Sequence, residues 1–286
     1  MLKLSLSTGT FYHLPLRSTF SLAQDVGFDG VELVLGPEIL LRGAAYVRRL
    51  SQEYALPVFS VHPPIVPYPG HGKTARILPR LISLAKEVDC PLVVLHTPKT
   101  TASETPAWTE FVSAVQNQQT HGQVRVSLEN GGLFRATDAD FLLHDLHRLR
   151  AFADRYDLLL TLDTAHAGTA GYELLEAYGL LDGRLANVHY SDLVQRPLFP
   201  NWPPLYTFFR HHQMPGQGVL PLADFLRTLL AQGYAGVLTV EVSPMALGAW
   251  RPSRARQRLA SLVQSMRRLE AEFDEQKLGP WIQIPG

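Results

Sequence analysis

The chain has 286 residues, with 26 Lys plus Arg against 26 Asp plus Glu and 46% apolar residues. That apolar share can build a sizeable core and excludes wholesale disorder, and the even charge balance argues against a globally basic nucleic-acid binder. The single cysteine, Cys90, excludes a disulfide framework, fits a reducing compartment and is read as a small buried hydrophobe.

The opening stretch MLKLSLSTGTFYH has no signal-peptide pattern, and no apolar run approaches the ~20 residues of a bilayer span, so a cytoplasmic protein without membrane contact is expected. Eight short apolar runs follow: LKLSLST (2–8), GVELVL (30–35), PVFSVH (57–62), PLVVLH (91–96), VRVSLEN (124–130), LLLTLD (158–163), LANVHYS (185–191) and GVLTVEV (236–242). Each is bounded by Gly, Pro or polar residues, as buried parallel strands are. Helical spacing appears between them at 38–54, at 75–88 despite Pro79, at 138–156, at 220–234 and at 254–273. The third of these has acids first and arginines last, matching the helix dipole. Residues 192–219, rich in Pro and aromatics, form a loop long enough to imply a function.

Eight strands alternating with helices predict an α/β protein, a single (β/α)8 TIM-barrel domain over residues 1–286 with a tail at 274–286. The doubly wound alternative often carries a glycine-rich phosphate turn, and no GxGxxG follows any strand.

A barrel gathers its chemistry at the carboxyl ends of its strands. Strand three ends on His62, strand four on His96, and strand five on Glu129 and Asn130. Strand six ends on Asp163 with His166 three residues on, strand seven near His189 followed by Asp192, and strand eight carries Glu241. Buried carboxylates need a positive counter-charge, and no strand end supplies Lys or Arg. A divalent metal ion is the economical answer, since His and carboxylate ligands suit zinc, manganese, iron or cobalt.

The stretches VHPP, VLHTP, SLENGG, LDTAHAG, NVHYSD, PGQG and VEVSP, in this order at strand ends, resemble the xylose-isomerase-like TIM-barrel superfamily of sugar isomerases, epimerases and endonuclease IV. The resemblance spans roughly residues 4–270 and implies one metal held by Glu129, Asp163, His189 and Glu241. From the endonuclease branch it implies a second metal at His62, His96 and Glu129, and a third using His166 and His212. The aspartate expected with His212 is replaced by Arg210 in RHHQMPGQG, which counts against a three-zinc site.

The leading expectation is an isomerase or epimerase of a sugar or related hydroxy-ketone, in which a proton leaves a carbon next to a carbonyl through a metal-stabilised enediolate. Glu129 and Glu241 are the expected catalytic acid/base pair. Expected substrate-binding residues are His166, Arg196, His62, His96 and His212, with Arg196 placed like the substrate-binding arginine of the epimerases. The metal would be Mn, Co, Mg, Fe or Zn, and the partner a small carbohydrate. The alternatives are a metal-dependent phosphodiesterase acting at abasic DNA sites and a barrel that binds sugar or metal without turnover. Nucleic acid is disfavoured, since residues 63–72 contain no Lys or Arg.

The loop aromatics Phe199, Trp202, Tyr206, Phe208 and Phe209 would exclude water from the mouth or pack against a second subunit, so a homo-oligomer is compatible with the sequence. His13 and Glu32 lie in neighbourhoods that face the mouth in the superfamily. His71, His121, His144 and His147 are expected at the surface, and one of His211 and His212 is expected to face the site. Trp281 and Ile282 in the tail are expected to pack on the barrel or on a neighbouring subunit.

Overall fold

A computed structural model describes residues 1–65, 74–119, 123–195 and 205–278. All eight apolar runs are strands: β1 (Lys3–Ser7), β2 (Gly30–Val34), β3 (Val58–His62), β4 (Leu92–His96), β5 (Arg125–Glu129), β6 (Leu159–Asp163), β7 (Leu185–Tyr190) and β8 (Val237–Val240). Each pairs in parallel with its neighbours in sequence, and β1 closes on β8 to complete a barrel with helices around it. This is the expected (β/α)8 TIM barrel.

Successive side chains on a strand take opposite faces. Leu4 and Leu6, Val31 and Leu33, Leu160 and Leu162, and Leu238 and Val240 join the apolar core shared with the helices. The opposite face is largely polar, with Val94 on β4 an apolar exception. Ser60, Ser127, Thr161, Asn187 and Thr239 are fully buried in the barrel, where branched apolar residues are the usual filling.

Buried hydroxyls and amides are costly unless bonded; four of these five bond in pairs and Ser60 bonds Glu32, whereas the hydroxyls of Ser5 and Ser7 on β1 have no partner among the described residues. Ser127 Oγ and Thr161 Oγ1 are 2.7 Å apart, Thr239 Oγ1 donates to Asn187 Oδ1 at 2.9 Å, and Ser60 Oγ donates to Glu32 Oε2 at 2.8 Å. Each of the five precedes a mouth residue by two positions: His62, Glu129, Asp163, His189 and Glu241 in turn. The two-residue strand period therefore sets a hydrogen-bonded layer directly beneath the mouth.

The helices depart more from expectation. The helix expected at 38–54 is two, Pro37–Arg42 and Ala44–Glu53, separated by Gly43 at φ +74°. The helix expected at 138–156 is regular only over Leu146–Arg155, where the Asp145 side chain accepts from the Arg148 N–H. Its acids at 138 and 140 belong instead to a separate 3-10 turn, Ala136–Asp140. Helices at Leu16–Val26, Pro106–Gln119, Thr164–Thr169 and Leu174–Leu181 fill crossovers for which no helix was read.

Thr74–Glu87 accommodates Pro79, and Leu222–Ala231 and Pro252–Leu278 match the remaining two readings to within a few residues. Within the expected 192–219 loop lies a short helix, Tyr206–Phe209. Cys90 is buried as expected, and burial pushes its thiol up to about 12. Among the described residues no helix is long and apolar enough to cross a membrane.

Candidate metal centre

Asp163 closes β6 and caps the short helix that follows. Its Oδ1 accepts the His166 backbone N–H at 2.7 Å. The other oxygen, Oδ2, is buried with no hydrogen-bond partner among the described residues. It lies 3.7 Å from His212 Nδ1 and 3.9 Å from both His166 Nδ1 and His189 Nδ1. A carboxylate oxygen in that position is costly unless a cation faces it.

The neighbouring strands supply the remaining donors. His189 Nδ1, near the end of β7, is 2.9 Å from Glu241 Oε2 and 3.3 Å from Glu129 Oε1. The ligand atoms of Glu129, Asp163, His189 and Glu241 all lie within 4.8 Å of one another, and all four residues are buried. Two further groups meet the same spacing, His62 with Glu129 and His189, and Asp163 with His166 and His212. Oxygen and imidazole donors at this spacing, together with the unpartnered Asp163 Oδ2, fit a divalent cation.

The electrostatics say the same from the side of the protons. Burial pushes Glu129 up, but the charges of His189 and His96 and a bond from His166 outweigh it and hold the carboxyl well below its usual range. Glu241 is lowered against burial chiefly by His189. Burial opposes protonation of the histidines, yet the surrounding carboxylates raise His189 well above the ordinary imidazole value and bring His62 and His166 to about 9. Protonated imidazoles and a divalent cation are thus alternative counter-charges for one carboxylate set.

The expected second-metal residues also converge. His62 Nε2 and His96 Nε2 lie 3.4 and 3.2 Å from Glu129 Oε2, with the two rings 4.8 Å apart. His62 Nδ1 faces the Pro63 carbonyl at 2.7 Å, which leaves Nε2 for the site. His166 Nδ1 is 3.3 Å from Glu129 Oε1. His212 adopts a left-handed backbone, φ +50°, rare for a residue with a side chain, and its ring meets that of His166 at 5.2 Å.

His211 is fully buried with both ring nitrogens unpartnered among the described residues. Burial, helped by the nearby charges of His166, His212 and Arg210, lowers it to about 2, so it stays neutral. Arg210 stands where the endonuclease pattern has an acid, with its guanidinium 5.3 Å over the Tyr206 ring.

Several expectations need correction. Asp192 is a structural anchor, because its carboxylate accepts N–H groups from Leu193, Gly216, Gly218 and Leu220 at 2.8–3.1 Å. PGQG is therefore the turn that wraps this aspartate, and Gly218 carries no side chain because a Cβ would press on Asp192 and on the Leu193 carbonyl. His144, expected at the surface, is buried beside Gly131, whereas His147 is exposed. His13 is exposed against Tyr12, while Glu32 turns into the barrel and meets His189 Nε2 at 3.0 Å.

The sequence left Glu32 undecided, though its place between outward-facing Val31 and Leu33 already directs it inward. Gly132 also went unread; a Cβ there would sit 2.6 Å from the His166 ring. Arg196, Phe199, Trp202, His71, His121, Trp281 and Ile282 lie outside the described residues.

Comparison with known proteins agrees with this fold. The family model described as xylose isomerase-like TIM barrel matches residues 20–270. An uncharacterized protein of Mycobacterium tuberculosis (strain H37Rv) is 29% identical over 263 residues, covering 85% of this chain and 89% of that protein. Fructoselysine 3-epimerase of Escherichia coli O157:H7 is 22% identical over 278 residues, covering 84% and 91%. The crystal structure of 3-keto-D-glucoside 4-epimerase from E. coli superposes with a TM-score of 0.68 at 18% identity, covering 92% of this chain and 100% of that one. The chain belongs to the xylose isomerase-like TIM barrel family.

Proposed function

We propose that this chain is a single-domain, cytoplasmic isomerase or epimerase of a sugar or related hydroxy-ketone that depends on a divalent metal ion. The observation that carries the reading is the buried set Glu129, Asp163, His189 and Glu241, with ligand atoms within 4.8 Å of one another. The epimerase names among its relatives support the substrate class.

An ion held by those four residues would supply Lewis acidity and orientation to two adjacent substrate oxygens. Glu129 on β5 and Glu241 just past β8, with β6 and β7 between them in the barrel, flank the mouth as two ionised carboxylates. One takes the proton from the carbon next to the carbonyl, and the other returns a proton to the neighbouring carbon or to the opposite face. His166 and His212, beside Asp163, hydrogen-bond substrate oxygens, and Arg196 is a further substrate-binding residue.

The test is elemental analysis of protein purified without chelator, followed by incubation with D-fructose, D-tagatose or fructoselysine in D2O. About one metal ion per chain and a one-dalton gain in recovered sugar, abolished by chelator, are expected. Bound metal with no exchange into any of these ketoses would sink the isomerase reading and leave a barrel that binds without turnover.

A second reading, a phosphodiesterase acting at abasic DNA sites, draws on the approach of His62 and His96 to one oxygen of Glu129. Arg210 opposes it. Two or more zinc ions per chain with nicking of abasic duplex would favour it over the first.

A further inference from the structure

We propose that Glu32 is a positioning residue, which accepts the Nε2–H of His189 and so aims Nδ1 of that ring at the metal ligands. The inference rests on the metal reading above and concerns a residue outside the ligand set.

Glu32 is fully buried, deep in the barrel on β2. One of its oxygens, Oε2, meets His189 Nε2 at 3.0 Å, Ser60 Oγ at 2.8 Å and Asn187 Nδ2 at 3.4 Å. Ser60 and Asn187 belong to the polar layer beneath the mouth, and Thr239 in turn donates to Asn187. The Oε2 oxygen is thus held by neighbours on β3 and β7 while it faces the imidazole, and Oε1 has no hydrogen-bond partner among the described residues. His189 is its one ion-pair partner among the described residues.

The two nitrogens of His189 then have separate tasks. Nε2 points down to Glu32, and Nδ1 points to Glu241 Oε2 at 2.9 Å and Glu129 Oε1 at 3.3 Å. An imidazole that gives its only N–H to a fixed acceptor must present the other nitrogen as a lone pair, and a carboxylate acceptor makes that lone pair a stronger donor. His62 shows the weaker version of the same device, with a backbone carbonyl behind the ring. Glu32 faces the ring nitrogen turned away from the other three ligands, which is why it acts through His189.

The experiment compares wild type, Glu32→Gln and Ser127→Ala. The last opens a buried pair of the same polar layer that touches neither Glu32 nor His189. Zinc and manganese affinity are read by chelator competition, folding by thermal melting, and the histidine tautomer by 15N NMR of the zinc-loaded protein.

Glu32→Gln is expected to weaken metal binding about 10- to 100-fold and to shift the His189 Nε2–H resonance. Ser127→Ala is expected to lower the melting temperature with metal affinity unchanged. Equal affinity in Glu32→Gln and wild type, or a zinc-loaded wild type with its His189 proton on Nδ1, overturns the proposal. If Glu32→Gln does not fold, Ser60→Ala, which removes one donor from Glu32, is expected to lower affinity in the same direction, and no change overturns the proposal. A wild type that binds no metal sinks the metal reading and this inference together, whereas tight binding that ignores Glu32 sinks the inference alone.

Discussion

Two aspartates follow one another at the ends of adjacent strands, and the regions around them work in opposite ways. Asp192, just after β7, spends both oxygens on four backbone N–H groups and organises the turn that ends at Leu220. Asp163, at the end of β6, spends one oxygen on a backbone N–H and leaves the other bare among three imidazoles. Both are fully buried acids at or just past a strand end. An account of donors separates these two, since the satisfied carboxylate of Asp192 holds the chain whereas the bare oxygen of Asp163 faces a cluster of metal-ligating groups.

The largest expected effect tests that separation directly. Asp163→Asn keeps the shape, and its retained oxygen can still cap His166, but it removes the charge facing the site. Metal affinity is expected to fall at least about 100-fold, with a melting temperature close to wild type. Calorimetric metal titration beside a thermal melt checks both halves, and full metal affinity in this variant would erase the distinction.

Asp192→Ala should show the converse. Loss of four charge-assisted hydrogen bonds from a buried anchor is expected to cost about 3–5 kcal/mol, read as a drop in urea midpoint. A smaller step on the same side is Gly218→Ala, whose Cβ meets Asp192 and the Leu193 carbonyl; overpacking of that kind costs about 1–3 kcal/mol. Both variants are expected to lose stability first and metal affinity second.

The finest test uses protons. In the metal-free protein His62 and His166 are raised to about 9 from 6.5. Groups raised on folding contribute stability that is full below pH 6.5 and lost as pH rises through about 9. Metal-free protein is therefore expected to melt on the order of a few degrees lower at pH 9.5 than at pH 6. Saturating metal replaces the protons and should flatten that difference, which differential scanning calorimetry at the two pH values would show.

These contrasts also explain what the sequence could and could not reveal. The strands and their polar ends were legible, because a short apolar run bounded by Gly, Pro or polar residues and closing on or near His62, Glu129, Asp163 or His189 needs no long-range information. The function of Asp192 was not, since all but one of its donors lie 24–28 residues further along and belong to the backbone. Helix limits failed where one residue decided them, as at Gly43 with its positive φ and at Asp145 with its capping oxygen. Glu32 was half legible: alternation with Val31 and Leu33 gave its direction, but only the closed barrel brings it to His189, 157 positions away.

The hydroxyl and amide layer inside the barrel has a consequence for assembly. Oily interiors tolerate sliding, whereas directional bonds between neighbouring strands fit together in one alignment. A one-residue slip between two strands would turn a leucine row inward and a serine or threonine row outward. Ser60, Ser127, Thr161, Asn187 and Thr239 thus act together as a gauge of register during strand closure, one that the loss of a single pair does not erase. The mouth then inherits its dimensions from the scaffold before any ion arrives.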